Sequence, residues 1–130
     1  MQTPPILKDL VLVGGGHSHI EVLRRFAMRP LLGARITLIS EHSTSAYSGM
    51  LPGHVAGHYE AEEIHIDLRR LATMAGARFI RAKVTGLDTD ARHLSFAERP
   101  ALTYDLLSLN IGSVPSTSAI PGAAGHVMPV

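Results

Sequence analysis

Gly14-Gly15-Gly16 lies between an apolar run, Leu10-Val11-Leu12-Val13, and a segment whose apolar residues Ile20, Leu23 and Ala27 recur at helical spacing. A strand that ends in a glycine turn and feeds a helix is a cradle for phosphate. Gly14 suits the tight turn, and Gly16 lets the backbone come close to a pyrophosphate. The free N–H groups of the new helix, which opens at His17 and Ser18, point at the anion with the favourable end of the dipole. The chemistry implied is dinucleotide binding. In the G-x-G-x-x-G pattern the third glycine permits close packing of helix on strand, and His19 stands there in this chain.

Two other groupings could do chemistry. Six of the eight histidines lie between His17 and His65, and His54 and His58 have the i, i+4 spacing of a two-histidine metal site. The glycines and Pro52 around that pair argue against a stable helix, and no third ligand stands at a fixed spacing, so no metal is expected. Ser48 lacks the G-x-S-x-G elbow of a hydrolase nucleophile. Its loop is expected beside the cofactor instead.

The elements that must position these residues follow from periodicity. Arg35-Ile36-Thr37-Leu38-Ile39-Ser40 arrives about 20 residues after the glycine loop, as a β-α-β unit requires, and its continuous apolar run suits a parallel strand covered on both faces. Residues 41–58 are dominated by Ser, Thr, Gly, Pro and His and read as a long loop, a length at which loops are usually functional. Ile66, Leu68, Leu71 and Ala72 predict a helix from Ile66 to Met74 that Gly76 closes. Arg78 to Thr85 reads as one extended run, with Arg92 to Phe96 as its hairpin partner across a turn at Asp88-Thr89-Asp90. Leu102 to Ile111 reads as one bent strand or two successive ones, and the tail from Ser113 to Val130 offers no element. No internal repeat is present.

Composition narrows the class. The chain is 45% hydrophobic and 18% charged, values of an ordinary globular domain, and its length allows one core. A formal charge of +1 without a basic run, and only 5% aromatics, disfavour nucleic acid as a partner. There is no cysteine, which excludes a disulfide or a redox pair within these residues. No apolar stretch approaches the roughly 20 residues of a membrane span, and Met1 to Lys8 lacks the pattern of a signal peptide. A cytoplasmic location is the expectation, with peripheral membrane attachment open for a longer parent.

A β-α-β start, a second helix, a small antiparallel excursion and a return strand ending in Asn110-Ile111-Gly112-Ser113 is the order in which a flavoprotein builds its FAD domain. The sequence resembles the pyridine nucleotide-disulfide oxidoreductase superfamily. Within it, the chain is similar to the type II NADH dehydrogenase-like branch, including the flavoprotein modules fused to selenide, water dikinase. The matching pieces are Gly14-Gly15-Gly16-His17-Ser18-His19, Tyr47-Ser48-Gly49-Met50-Leu51-Pro52-Gly53, His65-Ile66-Asp67-Leu68 and Leu107-Ser108-Leu109-Asn110-Ile111-Gly112-Ser113. The resemblance implies an α/β, Rossmann-like FAD/NAD(P)-binding fold of three layers with a small antiparallel β meander, incomplete at the C-terminus. It also implies FAD as cofactor, with NAD(P)H as co-substrate of the full-length parent.

By position, the resemblance assigns Gly14, Gly16, His17 and Ser18 to the FAD pyrophosphate. Asn110, Gly112 and Ser113 match the turn that closes over the diphosphate, and Val84 the strand residue whose backbone approaches adenine. The acid that holds the adenosine ribose in most relatives falls on Ser40, with Glu41 one position late, and the contact stays open between the two. Residues 1–130 are expected to be the N-terminal part of an FAD-binding domain, with 113–130 a linker toward an NAD(P)H domain. The parent polypeptide is expected to continue with a second glycine-rich strand-turn-helix unit and a late Gly-Asp motif. The 130 residues alone are expected to be inactive, to hold FAD weakly or not at all, and to self-associate. A non-catalytic module that senses an ADP-containing ligand is the alternative reading, and NAD in place of FAD at the first site is a third.

Overall fold

The computed structural model describes residues 4–113 and 115–127. Its centre is a parallel sheet in the order β5-β2-β1-β9, built from β1 (Lys8–Val13), β2 (Ala34–Ser40), β5 (Arg78–Arg81) and β9 (Leu106–Leu109). Because successive strand residues point to opposite faces, the continuous apolar runs of β1 and β2 feed two cores at once. On one face Leu12, Ile36 and Leu38 pack against Leu23 of α1 (His17–Met28) and Leu68 of α3 (Leu68–Met74). On the other face Val11, Val13 and Ile39 pack against Leu94 of an antiparallel meander. The meander consists of β6 (Val84–Asp88), β7 (His93–Phe96) and β8 (Leu102–Thr103). Helices, parallel sheet and meander are the three layers expected from the sequence.

The crossover from β1 to β2 runs through α1 as the pattern predicts. Leu23 is fully buried at its centre, and Arg29 and Pro30 follow its last residue. On its outward side Glu21 accepts hydrogen bonds from Arg24 and Arg25, and these bonds hold its carboxyl down at about 2. That cluster is solvent-exposed and adds little to stability.

The end of the sheet remote from the glycine loop is tied by charge. Asp9 and Arg35 face each other in register, and the guanidinium donates to both carboxylate oxygens at 2.6 and 2.9 Å. The Asp9 N–H donates to Asp105 Oδ2 at 2.7 Å, and the Asp105 N–H donates to the Asp9 carbonyl at 3.0 Å, which fixes where β9 begins beside β1.

Several elements differ from the sequence expectation. The loop 41–58 contains β3 (Thr44–Ala46), a 3-10 turn at Ser48–Met50 and α2 (Leu51–Val55). Pro52 is accommodated because it falls in the first turn of α2, where its missing N–H has no partner to lose. Ile66 belongs to β4 (His65–Asp67), which pairs antiparallel with β3, and the helix starts two residues later than its periodicity suggests. Asp67 sets that start, its carboxylate accepting the Arg70 N–H at 2.9 Å as an N-cap. The run 78–85 is divided at Ala82-Lys83, its first half joining the parallel sheet and its second crossing to the meander. Leu102 to Ile111 resolves into β8 and β9, in different sheets. In the tail a 3-10 turn forms at Ala123–Gly125, with Ala123 buried; the last tail residues, 128–130, lie outside the described part.

Leu23→Ala should cost about 3 kcal/mol in chemical denaturation, since it opens a cavity under α1 where Leu12, Leu38 and Leu68 meet. The hydrogen bond from Arg35 holds the Asp9 carboxyl below its ordinary value. The pair therefore stabilises the fold above the unfolded carboxyl pKa of about 3.9, and that contribution disappears as pH falls through the folded value. Asp9→Asn should lower stability at neutral pH and flatten the acid limb of a stability-against-pH curve; an unchanged acid limb would remove Asp9 from this account.

Candidate functional site

The glycine loop is strapped between two strand ends. The Gly14 N–H donates to the Ile39 carbonyl at the end of β2 (2.7 Å), and the Gly16 N–H donates to the Asn110 carbonyl just past β9 (3.1 Å). Asn110 is itself held by its N–H on the Val13 carbonyl at 2.9 Å. Gly14 has φ +100°, a left-handed conformation that side chains rarely adopt. A Cβ at Gly14 would fall on the Asn110 backbone carbonyl, one at Gly15 on a methyl of Leu68, and one at Gly16 on the Asn110 side-chain amide. Gly16 is therefore required by the chain's own packing, and not only by the approach of a pyrophosphate.

The loop delivers α1 with its N-terminus open. Gly16 is the N-cap, among the described residues no side chain caps the helix, and its first turn carries no acid. An uncapped start leaves backbone N–H groups available to an anion. His19, at the position of the third glycine, is buried below this turn. Its Nδ1 lies 2.8 Å from the Gly14 carbonyl and its Nε2 lies 2.8 Å from the Ser108 hydroxyl.

Two adjoining cavities flank the loop, the larger of about 1000 Å³ and the smaller of about 450 Å³. All ten residues singled out from the sequence line one or both. Gly16, His17, Ser18, Asn110, Gly112 and Ser113 line the larger, Gly14, Glu41 and Val84 line the smaller, and Ser40 borders both. The open choice between Ser40 and Glu41 narrows to one place, since both border the smaller cavity. Ser40 ends β2 with its hydroxyl accepting the His42 N–H at 3.3 Å, and Glu41 is exposed at the rim. Val84 serves twice, opening β6 at that cavity and packing into the meander-side core.

The cavities differ in charge. Among the described residues no Asp, Glu, Lys or Arg lines the larger one; its polar lining is hydroxyls, backbone, the Asn110 amide and the imidazoles of His17, His42 and His65. Glu41 and Lys83 both border the smaller one.

Sequence reasoning did not assign Gly15, His42, Lys83 and Ile111 to the site, although each borders a cavity. Gly15, the middle of three glycines, carried a usable signal, whereas the other three depend on how strand ends converge. The excursion 41–67 brings Tyr47 and Ser48 to the larger cavity through the β3–β4 pair, and Tyr47 packs edge-on against His17 with ring centroids 5.3 Å apart. His54 sits in α2 with its Nδ1 2.7 Å from the Tyr59 carbonyl, and His58 lies past the helix end. Among the described residues no group of three or more His, Asp and Glu could hold a metal ion.

These contacts separate two kinds of glycine. Gly16→Ala should destabilise the chain, and Asn110→Ala added to it should recover most of the loss, because the obstacle is a side chain. Gly14→Ala should not be rescued by the same change, since it meets the backbone of residue 110 and also strains φ. Melting temperatures of the two single and two double variants check this; rescue of Gly14→Ala would contradict the geometry.

No family model matches the chain. Over 128 residues it is 27% identical to the mitochondrial external NADH-ubiquinone oxidoreductase 2 of Saccharomyces cerevisiae, which takes in 92% of this chain and 23% of that protein. A probable ferredoxin reductase of Castellaniella defragrans is 25% identical over 116 residues, 87% of this chain and 28% of the relative. Among solved structures, the sulfide:quinone oxidoreductase of Aquifex aeolicus superposes with a TM-score of 0.66 at 27% identity, over 78% of this chain and 24% of that one. The chain thus spans about a quarter of the length of the relatives it matches. By sequence and by fold it is related to the pyridine nucleotide-disulfide oxidoreductases, and it carries their Rossmann-like FAD/NAD(P)-binding architecture.

Proposed function

We propose that this chain is the FAD-binding, N-terminal part of an NAD(P)H-dependent flavin oxidoreductase, and that its own task is to hold the ADP half of the cofactor. The observation that carries the reading is the convergence of ten residues, chosen from sequence alone, on two cavities joined at one glycine loop. The uncapped start of α1 and the larger cavity's freedom from carboxylates suit a diphosphate. The smaller cavity, with Ser40, Glu41 and the Val84 strand start, suits an adenosine. When bound, the flavin would supply the chemistry by accepting hydride from NAD(P)H; the protein supplies placement. Each named relative is an oxidoreductase or a reductase, which favours this reading over a non-catalytic sensor.

In this reading residues 1–130 are the opening part of the FAD-binding domain, and 113–130 lead toward an NAD(P)H domain of the parent. Among the described residues no helix is long and apolar enough to cross a membrane. We place the parent in the cytoplasm, with any membrane contact peripheral. The 130-residue chain by itself should pair with a second copy. Among the described residues strand β9 is bonded to β1 and to no other strand, and Leu106 and Leu109 are 61% and 59% exposed on it. An uncovered apolar edge of this kind offers unpaired N–H and C=O groups to another chain.

Titrating ADP into the isotope-labelled chain should shift the amide resonances of Gly15, Gly16 and Ser18 together with those of Ser40 and Val84. FAD should bind no more than about tenfold tighter than ADP, because the contacts available are those of the ADP half. An absence of shifts at the glycine loop at millimolar ADP would sink the site assignment. Sedimentation should show a concentration-dependent dimer that Leu109→Lys weakens, and a strictly monomeric chain would remove the edge-pairing proposal.

A further inference from the structure

We propose that His19 is a positioning residue of the phosphate site: through the Gly14 carbonyl it sets the Gly14–Gly15 peptide so that the Gly15 N–H faces the cavities. The inference deepens the dinucleotide reading above and rests on it for the identity of the ligand. Its structural half stands without any ligand.

His19 is 2% exposed, and both its nitrogens are engaged, Nδ1 at 2.8 Å from the Gly14 carbonyl and Nε2 at 2.8 Å from Ser108 Oγ. A carbonyl oxygen only accepts, so Nδ1 carries the proton and donates to Gly14. In the neutral ring Nε2 is then an acceptor and the Ser108 hydroxyl donates to it. Ser108 stands opposite Leu12 in the β1–β9 register, so the ring is pinned to the sheet and not to a mobile loop.

The consequence follows from peptide geometry. No cis peptide bond occurs among the described residues. In a trans peptide the C=O and the following N–H point in opposite directions. A Gly14 carbonyl drawn down to the buried ring therefore turns the Gly15 N–H away from the interior. Gly15 borders both cavities, and among the described residues its N–H has neither a backbone nor a side-chain acceptor, whereas the N–H groups of Gly14 and Gly16 on either side are both spent on protein carbonyls. The one uncommitted donor of the glycine triplet is thus the one whose direction His19 controls. Gly14 has no Cβ to bar rotation of the peptide that follows it. Without the ring, its carbonyl would be a buried acceptor with no partner, and flipping the peptide to reach water would aim that carbonyl, a negative dipole end, at the anion.

The test uses the shapes of Asn and Gln. The Asn amide nitrogen can replace imidazole Nδ1 and the Gln amide nitrogen can replace Nε2, so His19→Asn keeps the donor to Gly14 while His19→Gln keeps only the link to Ser108. In the labelled 130-residue chain the Gly15 amide of His19→Asn should keep its chemical shift and exchange rate, and ADP affinity should stay within about threefold. In His19→Gln and His19→Leu that amide should move, and ADP affinity should fall by about tenfold or more, the scale of one lost hydrogen bond. Equal losses in the Asn and Gln variants, in step with their melting temperatures, would reduce His19 to core packing and overturn the proposal.

Ring nitrogen shifts of the unmutated chain give a second check that needs no variant to fold. The Nδ1–H form is required, and the Nε2–H form would overturn the inference. If the Gly15 amide follows the pattern above while ADP leaves the wild-type spectrum untouched, the peptide clamp stands and the dinucleotide reading falls.

Discussion

The tightest constraint in this molecule is the space between β1 and α1. The chain turns there over three residues, with the Asn110 carbonyl, the Asn110 amide and a Leu68 methyl standing where side chains would go. At residue 14 only glycine fits, because a Cβ would meet backbone and φ is positive, whereas at 15 and 16 glycine is needed as long as the Leu68 and Asn110 side chains keep their places. The site is thus a product of tertiary packing rather than a local motif. β2 contributes through the Ile39 carbonyl, β9 through the Asn110 carbonyl, and α3 through the side chain that lies against Gly15. The parallel order β5-β2-β1-β9 makes this possible, because it brings the C-terminal ends of β1, β2 and β9 to one edge, where open α/β sheets leave a crevice for ligands.

What was legible in the sequence depended on how many neighbours an element needs. β1, α1 and β2 could be read from Leu10 to Ser40 because both strands are covered on both faces and so appear as unbroken apolar runs. The glycine triplet between them has few other uses. The site residues on these elements, and the Asn110 turn carried by the family resemblance, all reached the cavity walls. Elements whose form is decided by a distant partner were harder. Ile66 has helical spacing with Leu68 to Ala72, yet it is drawn into a strand because Ser45 offers it a ladder, and the Asp67 carboxylate then starts the helix behind it. Arg78 to Thr85 has uniform β character. Its division at Lys83 answers a need elsewhere: Val11, Val13 and Ile39 must be covered, and only a chain that leaves the sheet can return across its other face.

His19 shows where local and tertiary readings diverge most. As a departure from the glycine fingerprint it counts against a nucleotide site, since a bulky residue there should hold helix and strand apart. In the folded chain the imidazole lies under the first turn of α1 and occupies hydrogen-bonding groups on both sides, one on the glycine loop and one on β9. A glycine would bring the helix closer but leave the Gly14 carbonyl without this partner. Ser108 is the residue that makes the exchange workable, and it lies 89 positions away, outside the reach of any pattern in the glycine segment.

A diphosphate in the larger cavity would meet no fixed cation, since among the described residues neither Lys nor Arg lines it. Its negative charge would have to be met by oriented dipoles, the helix N-terminus and the Gly15 amide, with the three imidazoles and the hydroxyls around them. Dipoles of this kind stabilise an anion only as far as their directions are set beforehand, because a loop free to rotate would spend interaction energy on ordering itself. This is why the straps at Ile39 and Asn110 and the bond from His19 to Gly14 matter beyond stability. They hold the backbone of residues 14–16 in one orientation before any ligand arrives. A lysine placed in the cavity could attract phosphate without that order, at the expense of the direction by which a backbone cradle tells a diphosphate from any other anion.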